Sequence, residues 1–181
     1  DADLLLINSD WWEGRSGEGP RPTQRLYSNR GDGTFEDVTA AAGLDISLYG
    51  MGVTTADYDA DGDQDIYLTA AGPNVLLRND GGRFVDVTVS AGVSGGPDAA
   101  SSTWSTGAAW VDVDLDGWLD LFVCNYVQWS PETDLYATID GSSKSYATPQ
   151  QYQGESCRLY ANGGAGRFTD GTQAAGLLNE T

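Results

Sequence analysis

The residues best suited to chemistry lie in a nine-residue acidic loop that occurs twice, as DYDADGDQD at 57–65 and as DVDLDGWLD at 112–120. Both copies have Asp at the first, third, fifth and ninth positions and Gly at the sixth. Carboxylates that converge in this way repel one another unless a cation lies between them. Ca²⁺ fits such a set best, because it takes ~6–8 oxygen ligands and accepts irregular geometry. The spacing therefore predicts a calcium site in each loop.

The position of each residue in the loop predicts its role at the ion. Gly62 and Gly117 permit the tight turn that folds the chain around the metal. The seventh residue of each loop offers its backbone carbonyl, so its side chain can vary. The predicted ligands are Asp57, Asp59, Asp61, Asp63 and Asp65 in the first loop and Asp112, Asp114, Asp116, Trp118 and Asp120 in the second. The alternative, a solvated acidic turn without a metal, does not explain why the same spacing recurs.

An EF-hand begins with the same residues, but two features argue against it. Its loop needs a bidentate Glu at the twelfth position, where this chain has Leu68 and Val123. Both loops also run directly into short segments rich in β-branched and aromatic residues, which predict strands instead of helices. The predicted ion therefore joins the two strands of a β-hairpin.

An internal repeat organises the rest of the chain. Each copy has a segment that ends in Asn, a Gly-rich turn, a segment of the form Phe-x-Asp-x-Thr and a closing Ala-Gly-aliphatic triplet. The copies are RLYSN 25–29, FEDVT 35–39 and AGL 42–44; LLRN 76–79, FVDVT 84–88 and AGV 91–93; and RLYAN 158–162, FTDGT 168–172 and AGL 175–177. The Gly-rich turn predicts a hairpin between antiparallel strands. With a calcium loop before it, one unit contains four antiparallel strands.

Repeated four-stranded units predict an all-β protein built of β-propeller blades. We expect a partial blade at 1–45, a complete blade at 46–95 and, at 96–181, a blade with an inserted loop at 125–156. Asp1 and Asp3 align with the seventh and ninth positions of the loops, so they are predicted ligands in a third loop. About three blades are fewer than the ~4–8 of a closed ring. We therefore expect an incomplete ring, either because the chain is part of a longer polypeptide or because neighbouring chains complete it.

The composition argues against several classes of partner and of catalytic site. The net charge of −18 over 181 residues argues against a nucleic acid or an anionic membrane surface as partner. The chain has no His, which removes Ser-His-Asp and Cys-His catalysis and imidazole-bound zinc. No segment is long and apolar enough to be a membrane span. The acidity, the calcium-type loops and the presence of two Cys favour an extracellular, periplasmic or cell-surface location.

The two cysteines flank the insertion. Cys124 ends the predicted strand before it, and Cys157 begins the predicted strand after it. Because those strands are expected to be antiparallel neighbours, we predict a disulfide across the base of the insertion. Two buried free thiols are the alternative that the sequence leaves open.

The loops and the repeat together resemble those of FG-GAP/VCBS proteins, which are calcium-binding β-propellers. A narrower resemblance, to the ASPIC/UnbV and cartilage-acidic-protein group, is carried by RLYSN 25–29, GDGTFEDVT 31–39, WSTGAA 104–109, DLFV 120–123 with NYV 125–127, and PQQYQG 149–154. The resemblance implies a secreted, calcium-stabilised propeller that binds a partner and has no catalytic role.

Three functions follow from these observations. The preferred one is an extracellular, calcium-stabilised binding or scaffolding module for a protein or glycan, and not an enzyme. The second is a self-assembling filament or surface-layer subunit whose blades neighbouring chains complete. The third is a calcium-dependent enzyme that acts on acidic polysaccharides, with Arg or Tyr as acid or base.

Overall fold

The computed structural model describes residues 2–11, 19–96, 103–145, 147–164 and 166–178. The predicted ligand Asp1 lies outside these ranges. The strands are β1 (Leu4–Leu6), β2 (Arg25–Asn29), β3 (Phe35–Asp37), β4 (Gly50–Ala56), β5 (Asp65–Ala70), β6 (Val75–Asn79), β7 (Phe84–Asp86), β8 (Ser105–Val111), β9 (Asp120–Asn125), β10 (Ala137–Thr138), β11 (Lys144–Ser145), β12 (Arg158–Asn162) and β13 (Phe168–Asp170). Two helical turns, α1 (Thr39–Ala42) and α2 (Thr88–Ala91), follow β3 and β7.

The strands form three larger antiparallel sheets and one small hairpin. The first sheet has the order β1-β2-β3, the second β4-β5-β6-β7 and the third β8-β9-β12-β13, while β10 pairs only with β11. Each larger sheet runs from strand to neighbouring strand along the chain, which is the arrangement of a propeller blade. The predicted all-β architecture of four-stranded antiparallel blades is confirmed. The blade boundaries near residues 45 and 95 stay a prediction.

The repeated Phe-x-Asp-x-Thr segment is explained by a clasp that recurs in all three larger sheets. In the first, the Asp37 Oδ1 atom accepts hydrogen bonds from the backbone N–H of Thr39 at 3.0 Å and from its hydroxyl at 2.6 Å. The Thr39 hydroxyl oxygen in turn accepts from the backbone N–H of Leu26 at 3.0 Å. Thr88 and Thr172 make the equivalent bonds to Leu76 and Leu159. Each clasp satisfies polar groups that are buried at the end of the outer strand.

Two hydrophobic clusters lie between the sheets. One joins the first and second sheets and includes Leu44, Ile66 and Leu68, with Phe84 packed against it. The other joins the second and third sheets; its largest members are Tyr58, Tyr67, Tyr160 and Phe168, with Trp110 packed against them. All six residues of β5 are buried, because its alternate side chains enter different clusters. The sheets therefore stack face to face.

Glycine permits the close approach between neighbouring sheets. Gly43 ends α1 in the left-handed region at φ 78°, and a Cβ atom on it would lie 3.1 Å from the carbonyl oxygen of Phe84. Gly92 ends α2 in the same way at φ 79° and faces the carbonyl oxygen of Phe168. The closing Ala-Gly-aliphatic triplet therefore combines a helix cap with a contact between sheets.

The insertion at 125–156 contains the β10–β11 hairpin and two 3₁₀ turns, Pro131–Thr133 and Pro149–Gln151. It is anchored to the third sheet by aromatic contacts: Trp104 packs edge to face against Trp129, with ring centroids 5.4 Å apart, and against Tyr126. A bridge between Val127 and Gly154 closes its base. No helix in the described part of the chain is long and apolar enough to cross a membrane.

Candidate metal centre in the two acidic loops

Each acidic loop is the connection of a β-hairpin. The first joins β4 to β5, and the pair Ala56–Asp65 closes it. The second joins β8 to β9, and the pair Val111–Asp120 closes it. The two loops thus occupy the same place in consecutive sheets, as the sequence predicted from the strand-like residues on both sides.

The structure brings three carboxylates together in each loop. Asp57, Asp59 and Asp61 offer oxygen atoms that all lie within 4.8 Å of one another. Asp112, Asp114 and Asp116 do the same in the second loop. These residues hold the first, third and fifth positions of the repeat.

Backbone hydrogen bonds give both loops the same shape. The Asp57 carboxylate accepts from the backbone N–H groups of Asp61 and Gly62, each at 3.0 Å. Asp112 accepts from the equivalent groups, Asp116 at 3.2 Å and Gly117 at 3.0 Å. The sixth-position glycines are left-handed at φ 98° and 94°. The loops therefore hold their shape through the first-position carboxylate, one oxygen of which also belongs to the carboxylate cluster.

Charge and burial at the first loop favour a cation. One oxygen of Asp59 is buried and has no hydrogen-bond partner among the described residues. Burial raises the pKa of Asp59, and the neighbouring Asp61 carboxylate raises it further. A partly buried carboxylate that has one unpaired oxygen and a second carboxylate beside it is costly, and a divalent ion reduces that cost. An all-oxygen donor set suits Ca²⁺ better than a transition metal, so the residues present fit the predicted ion.

The ninth-position carboxylates accept hydrogen bonds from the loop backbone and from the third strand of the sheet. Asp65 is fully buried and accepts from the backbone N–H groups of Tyr58 at 3.1 Å and Asn79 at 2.8 Å. Asp120 is 2% exposed and accepts from Val113 at 2.9 Å and Asn162 at 2.8 Å. Burial is the main cause that raises the pKa of Asp65 to about 6. Each carboxylate thus ties the start of its loop to the third strand of its sheet. Their role as metal ligands, through the remaining lone pairs, stays a prediction.

Asp3 makes the same contact in the first sheet. Its Oδ1 atom accepts from the backbone N–H of Asn29 at 2.8 Å, as Asp65 does from Asn79 and Asp120 from Asn162. Asp3 therefore occupies the ninth position of a third repeat, in agreement with the sequence alignment. Its role as a metal ligand stays a prediction.

The seventh-position side chains have a role that the sequence did not reveal. Asp63 accepts a hydrogen bond from the backbone N–H of Gly81, in the turn between β6 and β7, at 3.1 Å. Trp118 lies over Gly164, in the turn between β12 and β13, so closely that any Cβ atom there would clash with the indole. Two chemically different side chains thus connect each loop to the outer hairpin of its own sheet. The carbonyl ligand role predicted for this position is not affected.

A cleft of about 570 Å³ lies beside the first loop, between the second and third sheets. Its lining includes Tyr58, Asp59, Arg78, Ser90 and Arg167. Arg78 is paired with Asp80 at 2.7 Å, whereas Arg167 makes no ion pair with a described residue. Burial raises the pKa of Tyr58 to about 12, so its hydroxyl stays protonated at neutral pH. The cleft thus places two guanidinium groups next to the candidate metal site.

Cys124 and Cys157 are free thiols in the structure, so the predicted disulfide is not present in it. The side chains are nevertheless neighbours: Arg158 pairs with Val123, which places Cys157 opposite Cys124. Burial is the main cause that raises the pKa of the Cys124 thiol, and the neighbouring Cys157 raises it further. Residues opposed in an antiparallel pair have Cα atoms ~4.5–5.5 Å apart, and disulfides need ~4.4–6.8 Å. The strand register is therefore compatible with a bond between them, and the disulfide stays a prediction.

We expect air-oxidised protein, denatured without reductant, to take up no iodoacetamide. After reduction it should take up two equivalents, measured by intact mass. The oxidised protein should also be more stable to urea by ~3–4 kcal/mol, because the closed loop restricts the unfolded chain. Two alkylated thiols in the unreduced sample would contradict the bond.

A model of the FG-GAP-like repeat matches residues 1–68 and again residues 57–123. The chain belongs to the FG-GAP-like repeat family. The overlap of the two matches lies at the first acidic loop, and the second match ends just beyond the second loop. The resemblance to FG-GAP-type repeats that was seen in the sequence is confirmed.

Two curated proteins share part of this FG-GAP-like chain. Cartilage acidic protein 1 of Xenopus tropicalis is 43% identical over 54 residues, which are 29% of this chain and 8% of that protein. Cartilage acidic protein 1 of Homo sapiens is 49% identical over 53 residues, which are 28% of this chain and 8% of that protein. These matches agree with the narrower resemblance. The matches span less than a tenth of the length of each relative.

Proposed function

We propose that this chain is a calcium-stabilised, extracellular β-propeller module that binds a protein or glycan and has no catalytic role. The observation that carries the proposal is the pair of three-carboxylate clusters at equivalent hairpins of consecutive sheets. Two independent loops with the same internal hydrogen bonds argue for one shared chemistry. Membership of the FG-GAP-like repeat family supports it.

In this proposal the first-, third- and fifth-position aspartates hold the ion through side-chain oxygens. The seventh residue adds its carbonyl, and the ninth-position carboxylate completes the set. Bound calcium supplies positive charge that neutralises the clustered carboxylates, and so fixes each hairpin. The millimolar calcium outside cells suits loops of this kind, which supports an extracellular location.

A binding role also fits the cleft beside the first loop. In a chain with only nine basic residues, two arginines line this one cleft. Guanidinium groups pair with carboxylates and sulfates. An acidic glycan or an acidic peptide is the ligand class that this lining favours.

Isothermal titration with calcium tests the metal proposal. We expect two ions per chain, bound with dissociation constants on the order of 10⁻⁴–10⁻³ M, as in extracellular calcium modules. Asp59→Ala should abolish binding at the first loop only, and Asp114→Ala at the second only, so each variant binds one ion.

The matched control is Asp45→Ala, which removes an exposed carboxylate outside the loops and should leave two ions bound. An unaltered protein that takes up no calcium would overturn the metal proposal. So would loss of binding in the Asp45 variant to the same extent as in the loop variants.

A further inference from the structure

Asn162 connects the two acidic loops. Its side-chain amide donates to the carbonyl oxygen of Tyr58 at 3.0 Å and to the carbonyl oxygen of Leu119 at 3.1 Å. Tyr58 is the second residue of the first loop, and Leu119 is the eighth residue of the second loop. One buried side chain, 3% exposed, therefore holds the backbone of both loops.

The remaining polar groups of Asn162 belong to the same network. Its backbone N–H donates to the Asp120 carboxylate at 2.8 Å, and its Oδ1 atom accepts from the backbone N–H of Gly164 at 3.0 Å. Two side-chain bonds, to Leu119 and Gly164, and one backbone bond, to Asp120, thus hold Asn162 against its own sheet.

The equivalent asparagines of the other sheets make the bonds within their own sheet. Asn79 accepts from Gly82 at 2.7 Å and donates to the carbonyl oxygen of Gln64 at 3.1 Å. Asn29 donates to the carbonyl oxygen of Ala2 at 3.0 Å. Ala2, Gln64 and Leu119 all occupy the eighth position of the repeat. The bond to Tyr58 is thus an addition to a shared pattern, and it is the part that crosses between sheets.

A continuous chain of hydrogen bonds follows. In the first loop, Asp65 accepts from the backbone N–H of Tyr58, whose peptide lies between the cluster residues Asp57 and Asp59. The Tyr58 carbonyl accepts from Asn162, and the backbone of Asn162 donates to Asp120 in the second loop. One residue, Asn162, therefore contacts the backbone of the first loop and both the backbone and the Asp120 carboxylate of the second.

We propose that Asn162 is a positioning residue that couples calcium binding at the two loops, so that an ion in the second loop raises the affinity of the first. The inference rests on the proposed calcium function. An ion in the second loop holds Leu119 and Asp120 in place, and both contact Asn162. Because Asn162 is then held as well, the Tyr58 peptide loses less conformational freedom when the first ion binds. Coulomb repulsion between two bound ions has the opposite sign, so a positive coupling is diagnostic of the contact.

Calcium titration of variants of the full chain tests the coupling. With the second loop disabled by Asp114→Ala, the affinity of the first loop should fall about fivefold or more, a typical allosteric coupling. In an Asn162→Ala background the same Asp114→Ala change should have no further effect on that affinity. The matched control, Asn79→Ala, removes only bonds within the second sheet and should keep the fivefold difference.

Circular dichroism confirms that each variant is folded, and Asp114→Ala tests the coupling even if Asn162→Ala does not fold, because Asn162 is intact in it. First-loop affinity that is unchanged by Asp114→Ala would overturn the coupling while leaving the calcium proposal in place. So would a fivefold difference that persists without the Asn162 side chain. Absence of calcium binding by the unaltered protein would overturn both.

Discussion

The melting temperature of the protein should fall by about 10–20 °C when 10 mM calcium is replaced by excess EDTA. Each loop with a dissociation constant near 10⁻⁴ M is stabilised by about 2.7 kcal/mol at a hundredfold excess of calcium. Two loops contribute about 5 kcal/mol, and a protein of this size shifts by about 2–4 °C per kcal/mol. Differential scanning fluorimetry or calorimetry measures the shift.

The variant that combines Asp59→Ala with Asp114→Ala supplies the control. It should melt at the same temperature with calcium and with EDTA, because both clusters have lost a ligand, while each single variant should keep a smaller shift. A melting temperature of the unaltered protein that does not respond to EDTA would refute calcium stabilisation.

Replacement of Phe168 by Ala should cost about 3–5 kcal/mol of unfolding free energy. Phe168 is 8% exposed and packs against Tyr58 and Trp110, with ring centroids 5.7 and 6.1 Å apart. Its removal leaves a cavity between the second and third sheets. Since whole domains are stable by only ~5–15 kcal/mol, the loss is a large share of the total. Urea unfolding in saturating calcium measures it.

The repeat provides a matched control for this prediction. Phe35 holds the equivalent position in the first sheet but is 42% exposed, so Phe35→Ala should cost less than about 1 kcal/mol. Equal losses for the two substitutions would show that the stacking of the second and third sheets does not determine stability as described.

The hairpin loops and the strands around them were predictable because their signals are local. The spacing of Asp57, Asp59, Asp61 and Gly62 encodes a turn with converging carboxylates, whatever surrounds it. The recurrence of Phe-x-Asp-x-Thr likewise predicted the outer hairpin, although the sequence did not show that Asp37 and the buried Thr39 form a hydrogen-bonded clasp. The recurrence of a residue in a repeat thus marks it as structurally important, but does not identify the residue that it contacts.

The contacts between sheets were not predictable from one sequence. Asn162 and Tyr58 are 104 residues apart in the chain, and the shared Asn of the repeat gives no sign that one copy also reaches a neighbouring loop. The contacts of the seventh-position side chains were not predicted either. Asp63 is an acidic side chain and Trp118 is an aromatic one, so their common contact with an outer hairpin is visible only in three dimensions. The cysteines lie between these cases: their opposition was predicted from the strand order, and the bond itself depends on oxidation.

Every residue of β5 is buried, and the stability of the middle sheet therefore depends on the sheets that cover it. A strand covered on both faces has no solvent-facing side of its own, so the middle sheet acquires its stability from the neighbours that cover it. Order in such a stack spreads from one layer to the next, and each added layer makes the previous one more resistant to local opening. The loops at the ends of these layers are therefore held by the stack as a whole as well as by the charges within them.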